Sequence, residues 1–246
     1  MLSRVLKLSK PPDHYLPFSG LAKIEKFVYR NKLIFFARMQ QIKNIIFDLG
    51  GVLLDIDYNK TKTAFEALGV NRFDELYSQA DASDIFRRLE KGTIPVAEFY
   101  SELRNITGLN LSDHQIETAW NSMLLDFREK SLQYLERLKP YYALYLLSNT
   151  NKIHTDVLKE IYYSKPRKAP FEQYFTSCIY SYDTGTRKPD RECFEWVLKK
   201  ENLDPGRTIF IDDSIQNVHG AESAGIKGIW LKQHMMIEDL GLLPAN

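Results

Sequence analysis

One stretch, residues 42–57 (IKNIIFDLGGVLLDID), constrains the fold of this chain more than any other. Its apolar run at 45–47 is typical of a strand that is buried on both faces, as strands inside parallel sheets are. The run is followed at once by a carboxylate, Asp48, and then by the turn residues Gly50 and Gly51. Open parallel sheets bind ligands beyond the carboxyl ends of their strands. The position of Asp48 therefore suits a nucleophile or a metal ligand better than a packing residue.

Three later segments repeat this pattern of an apolar run that ends in polar residues. They are YALYLLSNTN (142–151), SCIYSYDTGTRKP (177–189) and TIFIDDSIQN (208–217). We expect the four polar ends to converge on one site at the edge of a sheet. The predicted strands are 43–47, 143–147, 177–181, 208–212 and 227–231, with the first strand at the centre.

The apolar period changes to that of helices between residues 58 and 128. The predicted helices cover 58–69, 73–92, 95–108 and 112–127. The first two end at glycines, the third has Pro95 in its first turn, and the fourth begins with a capping box formed by Ser112 and Gln115. No strand pattern interrupts this block, so we predict that it is an α-helical cap inserted between the first and second strands.

Helix and strand alternate from 131–140 to the end of the chain, which is typical of a doubly wound parallel sheet. The predicted fold is therefore an α/β protein. Its Rossmann-like core is expected to comprise residues 40–57 and 129–246, and its helical cap residues 58–128.

The first 39 residues form a basic extension of different character. Residues 1–38 hold eight Lys or Arg against two acidic residues. Their longest apolar run, 33–37, is far shorter than the roughly 20 residues that span a bilayer. We interpret the extension as sequence upstream of the true start, since Met39 lies only nine residues before Asp48. A surface helix and a weak membrane-surface or targeting segment are the alternatives.

Four motifs in order, DLGGVLLDID, LLSNTNKIH, GTRKPD and DDSIQN, resemble those of the haloacid dehalogenase superfamily, whose members are mostly phosphatases. The resemblance covers roughly residues 40–235, and a helical cap after the first motif also fits it. More narrowly, the motifs are similar to the branch of bacterial glucose-1-phosphate phosphatases, which neighbours the N-terminal phosphatase domain of epoxide hydrolases. The matching positions are Asp48 (nucleophile), Ser148 (second motif), Lys188 (third motif) and Asp212-Asp213 (fourth motif).

The resemblance implies a Mg²⁺-dependent phosphatase that acts on a small phosphomonoester, with sugar phosphates as the expected substrates. Asp48 would bind the metal with one oxygen and attack phosphorus with the other, giving an aspartyl-phosphate that water hydrolyses. The implied metal ligands are Asp48, the Gly50 carbonyl and Asp213, with Asp212 bound directly or through water. The implied phosphate-binding groups are Ser148, the backbone N–H of Asn149, and Lys188.

One position departs from the superfamily pattern. Most of its phosphatases carry a second Asp two residues after the nucleophile, where this chain has Gly50. In those phosphatases, that Asp protonates the leaving group. The resemblance therefore predicts one of three consequences for this chain: slower turnover, a preference for substrates with good leaving groups, or another residue, such as Asp57 or a cap residue, that acts as the acid. General acid–base catalysis contributes about 10²–10⁴-fold, so a weakened enzyme is still measurable.

Two rival functions remain open at the level of sequence. A metal-independent haloacid dehalogenase also lacks the second Asp, but the pair Asp212-Asp213 would repel Asp48 if no cation neutralised it. A non-catalytic relative that only binds a phosphorylated ligand is the second rival, although such a protein needs no nucleophile.

Three single residues have interpretations of their own. Asn217 is expected to hold its loop or Lys188. Trp120 lies at helical core spacing, which favours packing over a role in stacking on a sugar. His154 is interpreted as an exposed or hydrogen-bonded residue rather than a metal ligand.

Composition limits the partners and the compartment. A chain of 246 residues with a formal charge of +1 gives no reason to expect nucleic acid or an anionic membrane as partner. The two cysteines, Cys178 and Cys193, are too few for a disulfide framework, so a reduced, cytoplasmic setting is expected. The expected partner is a small phosphorylated metabolite, with no integral membrane association. The oligomeric state is open.

Overall fold

A computed structural model describes residues 42–71, 73–78, 85–167 and 169–244 of the chain. The basic extension 1–39, with its alternatives, lies outside the described residues. Within the described ranges, no helix has the combination of length and apolar content that crossing a membrane requires.

The described residues form seven strands and ten helices in chain order. The strands are β1 (Asn44–Phe47), β2 (Leu54–Ile56), β3 (Leu124–Phe127), β4 (Ala143–Ser148), β5 (Ser177–Tyr180), β6 (Thr208–Asp212) and β7 (Lys227–Trp230). The helices are α1 (Tyr58–Ala67), α2 (Phe73–Ser78), α3 (Ile85–Glu90), α4 (Val96–Thr107), α5 (Asp113–Asn121), α6 (Glu129–Leu138), α7 (Lys152–Tyr163), α8 (Ser181–Thr184), α9 (Arg191–Lys200) and α10 (Ile215–Ser223). Short 3₁₀ turns lie at Phe171–Tyr174, Pro205–Arg207 and Ile237–Leu240.

A five-stranded parallel sheet is the centre of the fold, with the strand order β5-β4-β1-β6-β7. The predicted α/β fold and the central place of the first strand are confirmed. In the register of the sheet, Phe47 lies between Leu146 on β4 and Ile211 on β6. All three side chains are fully buried, as the apolar runs of the sequence predict.

The helices α1 to α5 form a separate group, which we call the insert (residues 58–121). Its core is aromatic: the rings of Phe65 and Phe73 stack at 4.7 Å, and Trp120 packs on Phe86 at 5.0 Å. Trp120 is only 2% exposed, so its ring packs in the core of the insert as its spacing indicates. The insert therefore has an apolar core of its own beside that of the sheet.

The prediction of one helix over 112–127 is wrong at its C-terminal end. The helix α5 ends at Asn121, and the last four residues of the predicted range form β3, which pairs antiparallel with β2. A short apolar run is compatible with either a helix or a strand. The partner strand lies about 70 residues earlier in the chain, so no local pattern shows the pairing.

The second predicted helix, 73–92, is recorded in two parts. The structure gives α2 and α3, while residues 79–84 between them lie outside the described ranges. Gly92 has a φ of +64° just after α3, which agrees with its prediction as a helix-ending glycine.

Candidate active site

The polar ends of the central strands meet at the carboxyl edge of the sheet. Asp48 follows β1, Ser148 is the last residue of β4, and Asp212 is the last residue of β6, followed by Asp213. One carboxylate oxygen of each of the three aspartates lies within 4.8 Å of the others. The convergence that the sequence predicts is therefore seen in the structure.

Lys188 joins two of these carboxylates. Its ammonium donates to Oδ1 of Asp48 at 2.5 Å and to Oδ2 of Asp212 at 2.8 Å. The lysine side chain is 1% exposed and also lies over the ring of Phe210, 5.3 Å from the centroid. A charged amine is buried at such a place only when it is paired, so the two carboxylates account for its position.

Asn149 holds the segment that carries Lys188. Its side-chain amide donates to the carbonyl of Lys188 at 2.8 Å, and its Oδ1 accepts from the backbone N–H of Lys188 at 2.9 Å. The side chain thus fixes the backbone on both sides of the lysine Cα. The sequence assigned Asn149 to phosphate binding through its backbone, and did not predict this role for the side chain.

Asp212 is held by a network of donors. Besides Lys188, it accepts from the backbone N–H of Ser214 at 2.8 Å and from the amide of Asn217 at 3.0 and 3.1 Å. Asn217 therefore bonds to Asp212, rather than to Lys188 as one reading of the sequence expected. With both oxygens engaged, Asp212 is oriented by the protein itself.

Two glycines make room at the start of the site. A Cβ at Gly51 would come 2.0 Å from Oδ2 of Asp213, and the φ of Gly51 is +71°. Only a residue without a side chain lets that carboxylate approach so closely. A Cβ at Gly50 would meet Cδ1 of Ile56 at 3.2 Å, so this position faces an apolar side chain.

The site has more negative than positive charge. Burial raises the pKa of the Asp48 carboxyl to about 7; the Lys188 ammonium opposes this rise, and the Asp212 carboxylate adds to it. Partial loss of contact with water and the Asp212 carboxylate also raise the pKa of Asp213 above its ordinary value, although the residue as a whole is exposed. Burial alone would lower the pKa of Lys188, but Asp212 and Asp48 raise it. Three carboxyl groups therefore stand around one ammonium, and each carboxylate disfavours the charge of the next.

These residues fit a divalent cation. Carboxylate oxygens are the ligands that Mg²⁺ prefers, and the three aspartates place theirs within reach of one ion. The positive charge of such an ion would offset the repulsion between these carboxylates. Two of the three aspartates can offer an oxygen to the ion: Asp213, which is exposed, and Asp48, which is buried. Asp212 is less able to do so, because both of its oxygens already accept hydrogen bonds from neighbouring groups.

A cleft of about 670 Å³ lies over the carboxylates, between the sheet edge and the insert. The predicted residues Asp48, Gly50, Ser148, Asn149, Lys188, Asp213 and Asn217 line it. The insert contributes residues that sequence reasoning missed, among them Tyr58, Tyr77 and Glu90. Glu90 forms an ion pair with Arg187, Oε2 to Nη2, at 3.1 Å. The position of Arg187 next to Lys188 was the only feature of the sequence that could have indicated its place in the cleft. No feature of the sequence indicated Glu90.

The other two aspartates of the first motif make structural contacts. The carboxylate of Asp57 caps α1 by accepting from the N–H of Asn59 at 3.0 Å, and Asp57 is not among the residues that line the cleft. Asp55 pairs with Arg128 at 2.6 Å. The structure thus shows Asp57 as the N-cap of α1. His154 is hydrogen-bonded, as expected, with its Nδ1 2.9 Å from Oδ1 of Asn121.

Comparison with known proteins points to one family. The profile of haloacid dehalogenase-like hydrolases matches residues 42–225. D-ribitol-5-phosphate phosphatase of Bacteroides thetaiotaomicron is 33% identical over 186 residues, 76% of this chain and 90% of that protein. Sesquiterpene phosphatase of Aspergillus oryzae is 29% identical over 191 residues, 77% of this chain and 89% of that protein.

A solved structure agrees with these sequence comparisons. It is a haloacid dehalogenase family enzyme from Bacteroides thetaiotaomicron, crystallised in complex with magnesium and inorganic phosphate. It matches this chain with a TM-score of 0.74 and 37% identity, over 81% of this chain and 99% of that one.

Proposed function

The chain belongs to the haloacid dehalogenase-like hydrolase family and is a phosphatase of that family, and we propose that it hydrolyses a small phosphorylated carbohydrate with the help of Mg²⁺. The observation that carries the proposal is the buried ammonium of Lys188 bonded to both Asp48 and Asp212, with Asp213 beside them. This arrangement presents a carboxylate nucleophile, a cation for a phosphoryl group and acids for a metal in one cleft.

The first step of the proposed reaction is attack by Asp48. One of its oxygens accepts from Lys188, and the other forms a bond to phosphorus while the bond between phosphorus and the substrate oxygen breaks. The products are an aspartyl-phosphate and an alkoxide, which takes a proton from water in the cleft because Gly50 offers no acid. Lys188 offsets the charge on the phosphoryl oxygens during this transfer.

The second step regenerates the enzyme. A water molecule attacks the phosphorus of the aspartyl-phosphate and releases one proton to the solvent. The bond between phosphorus and Asp48 breaks, and inorganic phosphate leaves. Ser148 and the backbone N–H of Asn149 line the cleft next to Asp48 and are proposed to hold phosphoryl oxygens in both steps.

The proposed ligands of Mg²⁺ are Asp48, Asp213 and the carbonyl of Gly50. Asp212 is proposed to act through water, since its oxygens already accept from Lys188, Ser214 and Asn217. When bound, the ion supplies positive charge that lets an anionic nucleophile approach an anionic phosphate. The excess of acids favours this chemistry over a metal-independent dehalogenase, in which the three carboxylates would repel one another.

The proposed substrate class is a phosphorylated polyol or sugar. The relative from Bacteroides thetaiotaomicron is a D-ribitol-5-phosphate phosphatase, and the cleft volume of about 670 Å³ accommodates a molecule of that size. The insert is proposed to act as a cap that encloses the substrate and contacts the carbohydrate. Cys178 and Cys193 are both free thiols, which supports the proposal of a reduced, cytoplasmic setting.

The experiment that tests the function is release of inorganic phosphate from p-nitrophenyl phosphate and from a panel of polyol and sugar phosphates. It is run with Mg²⁺ and with EDTA. We expect hydrolysis that requires the metal and that is lost in Asp48→Asn, since an amide is not a nucleophile of comparable strength. The loss should exceed roughly 10³-fold.

The matched control is Asp126→Asn, an exposed acid outside the cleft that pairs with Lys165 at 3.2 Å. It should keep the wild-type rate. Folded Asp48→Asn enzyme with wild-type turnover would show that the nucleophile is misassigned, and phosphate release that persists in EDTA would refute the metal requirement.

A further inference from the structure

The segment that leads from β2 into α1 points every second side chain into the cleft. Leu54, Ile56 and Tyr58 line the cleft, whereas Asp55 and Asp57 do not. The backbone stays extended up to Asp57, which has a φ of −138° and a ψ of 97°. Successive side chains of an extended chain point to opposite sides. Tyr58 therefore faces the cleft from the same side as Ile56.

This row of side chains lies beside Gly50, the position without an acid. Gly50 forms a β-bridge with Leu54, and a Cβ at Gly50 would lie 3.2 Å from Cδ1 of Ile56. Tyr58 is the next side chain of the row and carries a hydroxyl group. The residue is 57% exposed, so a molecule in the cleft can reach it.

The hydroxyl end of Tyr58 lies among ionisable groups of the cleft. Loss of contact with water raises its pKa most, and Tyr77, Asp48, Glu90 and Asp213 raise it further. All four of these residues line the cleft, so the hydroxyl lies inside it although the residue as a whole is exposed. A bound Mg²⁺ would offset the effect of the carboxylates, but an ordinary tyrosine, with a pKa of about 10, also keeps its proton at pH 7.

His154 lines the same cleft but has no proton to give. Its Nδ1 lies 2.9 Å from Oδ1 of Asn121, an acceptor that takes up one N–H. Burial lowers the pKa of His154 to about 3, so the imidazole is neutral at pH 7 and its other nitrogen carries no hydrogen.

Glu90 is the main rival for the role of proton donor. Burial raises the pKa of its carboxyl, and the charges of Arg187, Arg87 and Lys188 oppose that rise. Its Oε2 is paired with Nη2 of Arg187 at 3.1 Å, a contact that favours the ionised carboxylate. An ionised carboxylate accepts protons and does not donate them.

We propose that the hydroxyl of Tyr58 donates the proton that the leaving alkoxide takes up, directly or through one water molecule, and so acts in place of an acid at Gly50. The proposal rests on the phosphatase function proposed above and names its general acid. As the bond between phosphorus and the substrate oxygen breaks, that oxygen gains the phenol proton and a phenolate remains. An alkoxide is a stronger base than a phenolate, so this transfer is favourable. The water that hydrolyses the aspartyl-phosphate then gives its proton to the phenolate instead of the solvent, which restores Tyr58.

The test uses two leaving groups with different needs. p-Nitrophenolate leaves without a proton, whereas the alkoxide of ribitol 5-phosphate, or of the polyol or sugar phosphate that the enzyme prefers, needs one. The kcat/KM values, which cover the steps up to departure of the leaving group, are measured with Mg²⁺ for the wild type and Tyr58→Phe. We expect the variant to lose about 10²–10⁴-fold with the polyol phosphate, but only about threefold or less with the aryl phosphate.

Two further variants separate this role from others. Tyr141→Phe is the matched control, because Tyr141 is 52% exposed and is not among the residues that line the cleft. It should keep the wild-type rate with both substrates. Glu90→Gln tests the rival, and we expect it to change both rates by the same factor. A series of phenyl phosphates with progressively poorer leaving groups should show a steeper fall in rate for Tyr58→Phe than for the wild type.

Failures of the two proposals give different results. If Tyr58→Phe slows both substrates equally or slows neither, Tyr58 is not the acid and the phosphatase function stands. A loss confined to the polyol phosphate in Glu90→Gln, with none in Tyr58→Phe, would give the role to Glu90. A wild type that hydrolyses p-nitrophenyl phosphate but no polyol or sugar phosphate would show that the cleft has no working acid. If the wild type releases phosphate from none of these substrates, the phosphatase function fails and the role of Tyr58 fails with it.

Discussion

Single residues set the electrostatics of the site. Lys188 is buried because two carboxylates receive its ammonium, and Asp212 is oriented because Lys188, Ser214 and Asn217 donate to it. Removing one member of a buried charged pair costs about 3–5 kcal/mol, so the stability of each of these residues' positions depends on the others. Asp48, the proposed nucleophile, is therefore oriented by the ammonium of Lys188, which Asp212 holds in turn.

At the residue scale, we predict that Gly51→Ala weakens metal binding. The added Cβ would lie 2.0 Å from Oδ2 of Asp213, so the carboxylate must move away from the site. The Mg²⁺ concentration for half-maximal phosphatase activity should rise roughly tenfold or more. Gly108→Ala is the control, because Gly108 has a similar φ of +68° and an added Cβ there meets nothing within 4 Å. Equal metal dependence in both variants would contradict the prediction.

A second prediction at this scale concerns acid stability. Burial lowers the pKa of His154 to about 3, from an ordinary value of 6.5. Between pH 6.5 and 3, His154 is therefore protonated in the unfolded chain and neutral in the folded protein. The folded state keeps its full stability above pH 6.5 and loses stability as the pH falls towards 3. The loss in the free energy of unfolding is roughly 3 kcal/mol at pH 4 and approaches about 4–5 kcal/mol below pH 3.

The measurement is urea unfolding from pH 7 to 4 for the wild type and His154→Gln. The variant should lose less stability than the wild type on acidification, because glutamine does not titrate. His114→Gln changes an exposed histidine of α5 and should behave as the wild type does. Parallel curves for His154→Gln and the wild type would show that His154 does not contribute to the acid sensitivity.

Among the secondary structure elements, the boundary of α5 is the most instructive. Its start follows from sequence: Ser112 accepts from the N–H of Gln115 at 3.2 Å, and the Gln115 side chain accepts from the N–H of Ser112 at 2.9 Å. The end of α5 does not follow from the local sequence, because the residues after it form β3, which pairs with a strand far away in the chain. Local side-chain bonds define the first boundary, and a tertiary pairing defines the second.

At the scale of elements, we predict that Ser112→Ala destabilises the protein by about 1 kcal/mol, since it removes one half of the capping box of α5. Thermal or urea unfolding measures the change. Ser101→Ala is the matched control: Ser101 is exposed inside α4 and bonds the carbonyl of Ala97 at 3.0 Å. Alanine is the better helix former there, so that variant should be neutral or slightly stabilised. Equal losses in both variants would exclude the capping role.

On the scale of the whole molecule, the sheet and the insert have different tasks. The carboxyl ends of β1, β4 and β6 supply the charged residues, while the insert supplies the opposite wall of the cleft. The two meet where Glu90 pairs with Arg187 and where a Cβ at Gly92 would come 2.1 Å from the carbonyl of Tyr182. The cleft therefore depends on the placement of the insert against the sheet edge.

We predict that Mg²⁺ stabilises the whole folded protein. Binding to the folded state alone adds about 2.7 kcal/mol to the free energy of unfolding at 100 times the Kd. The melting temperature measured against Mg²⁺ concentration should rise for the wild type and stay nearly flat for Asp213→Asn, which loses a proposed ligand. Asp126→Asn, outside the cleft, should respond as the wild type does. An equal rise in Asp213→Asn would remove that residue from the proposed metal site.

The sequence by itself determined the α/β fold, the five central strands, and the family with its ordered motifs. These follow from apolar runs and short motifs, whose signals lie within a few residues of one another. The positions of Asp48, Ser148, Lys188 and Asp212-Asp213 were found for the same reason, although their roles stay proposals. The pairing of β2 with β3 and the second wall of the cleft were decided only by the tertiary structure. Glu90 and Arg187 lie about 100 positions apart, and no local pattern encodes which distant side chains will meet.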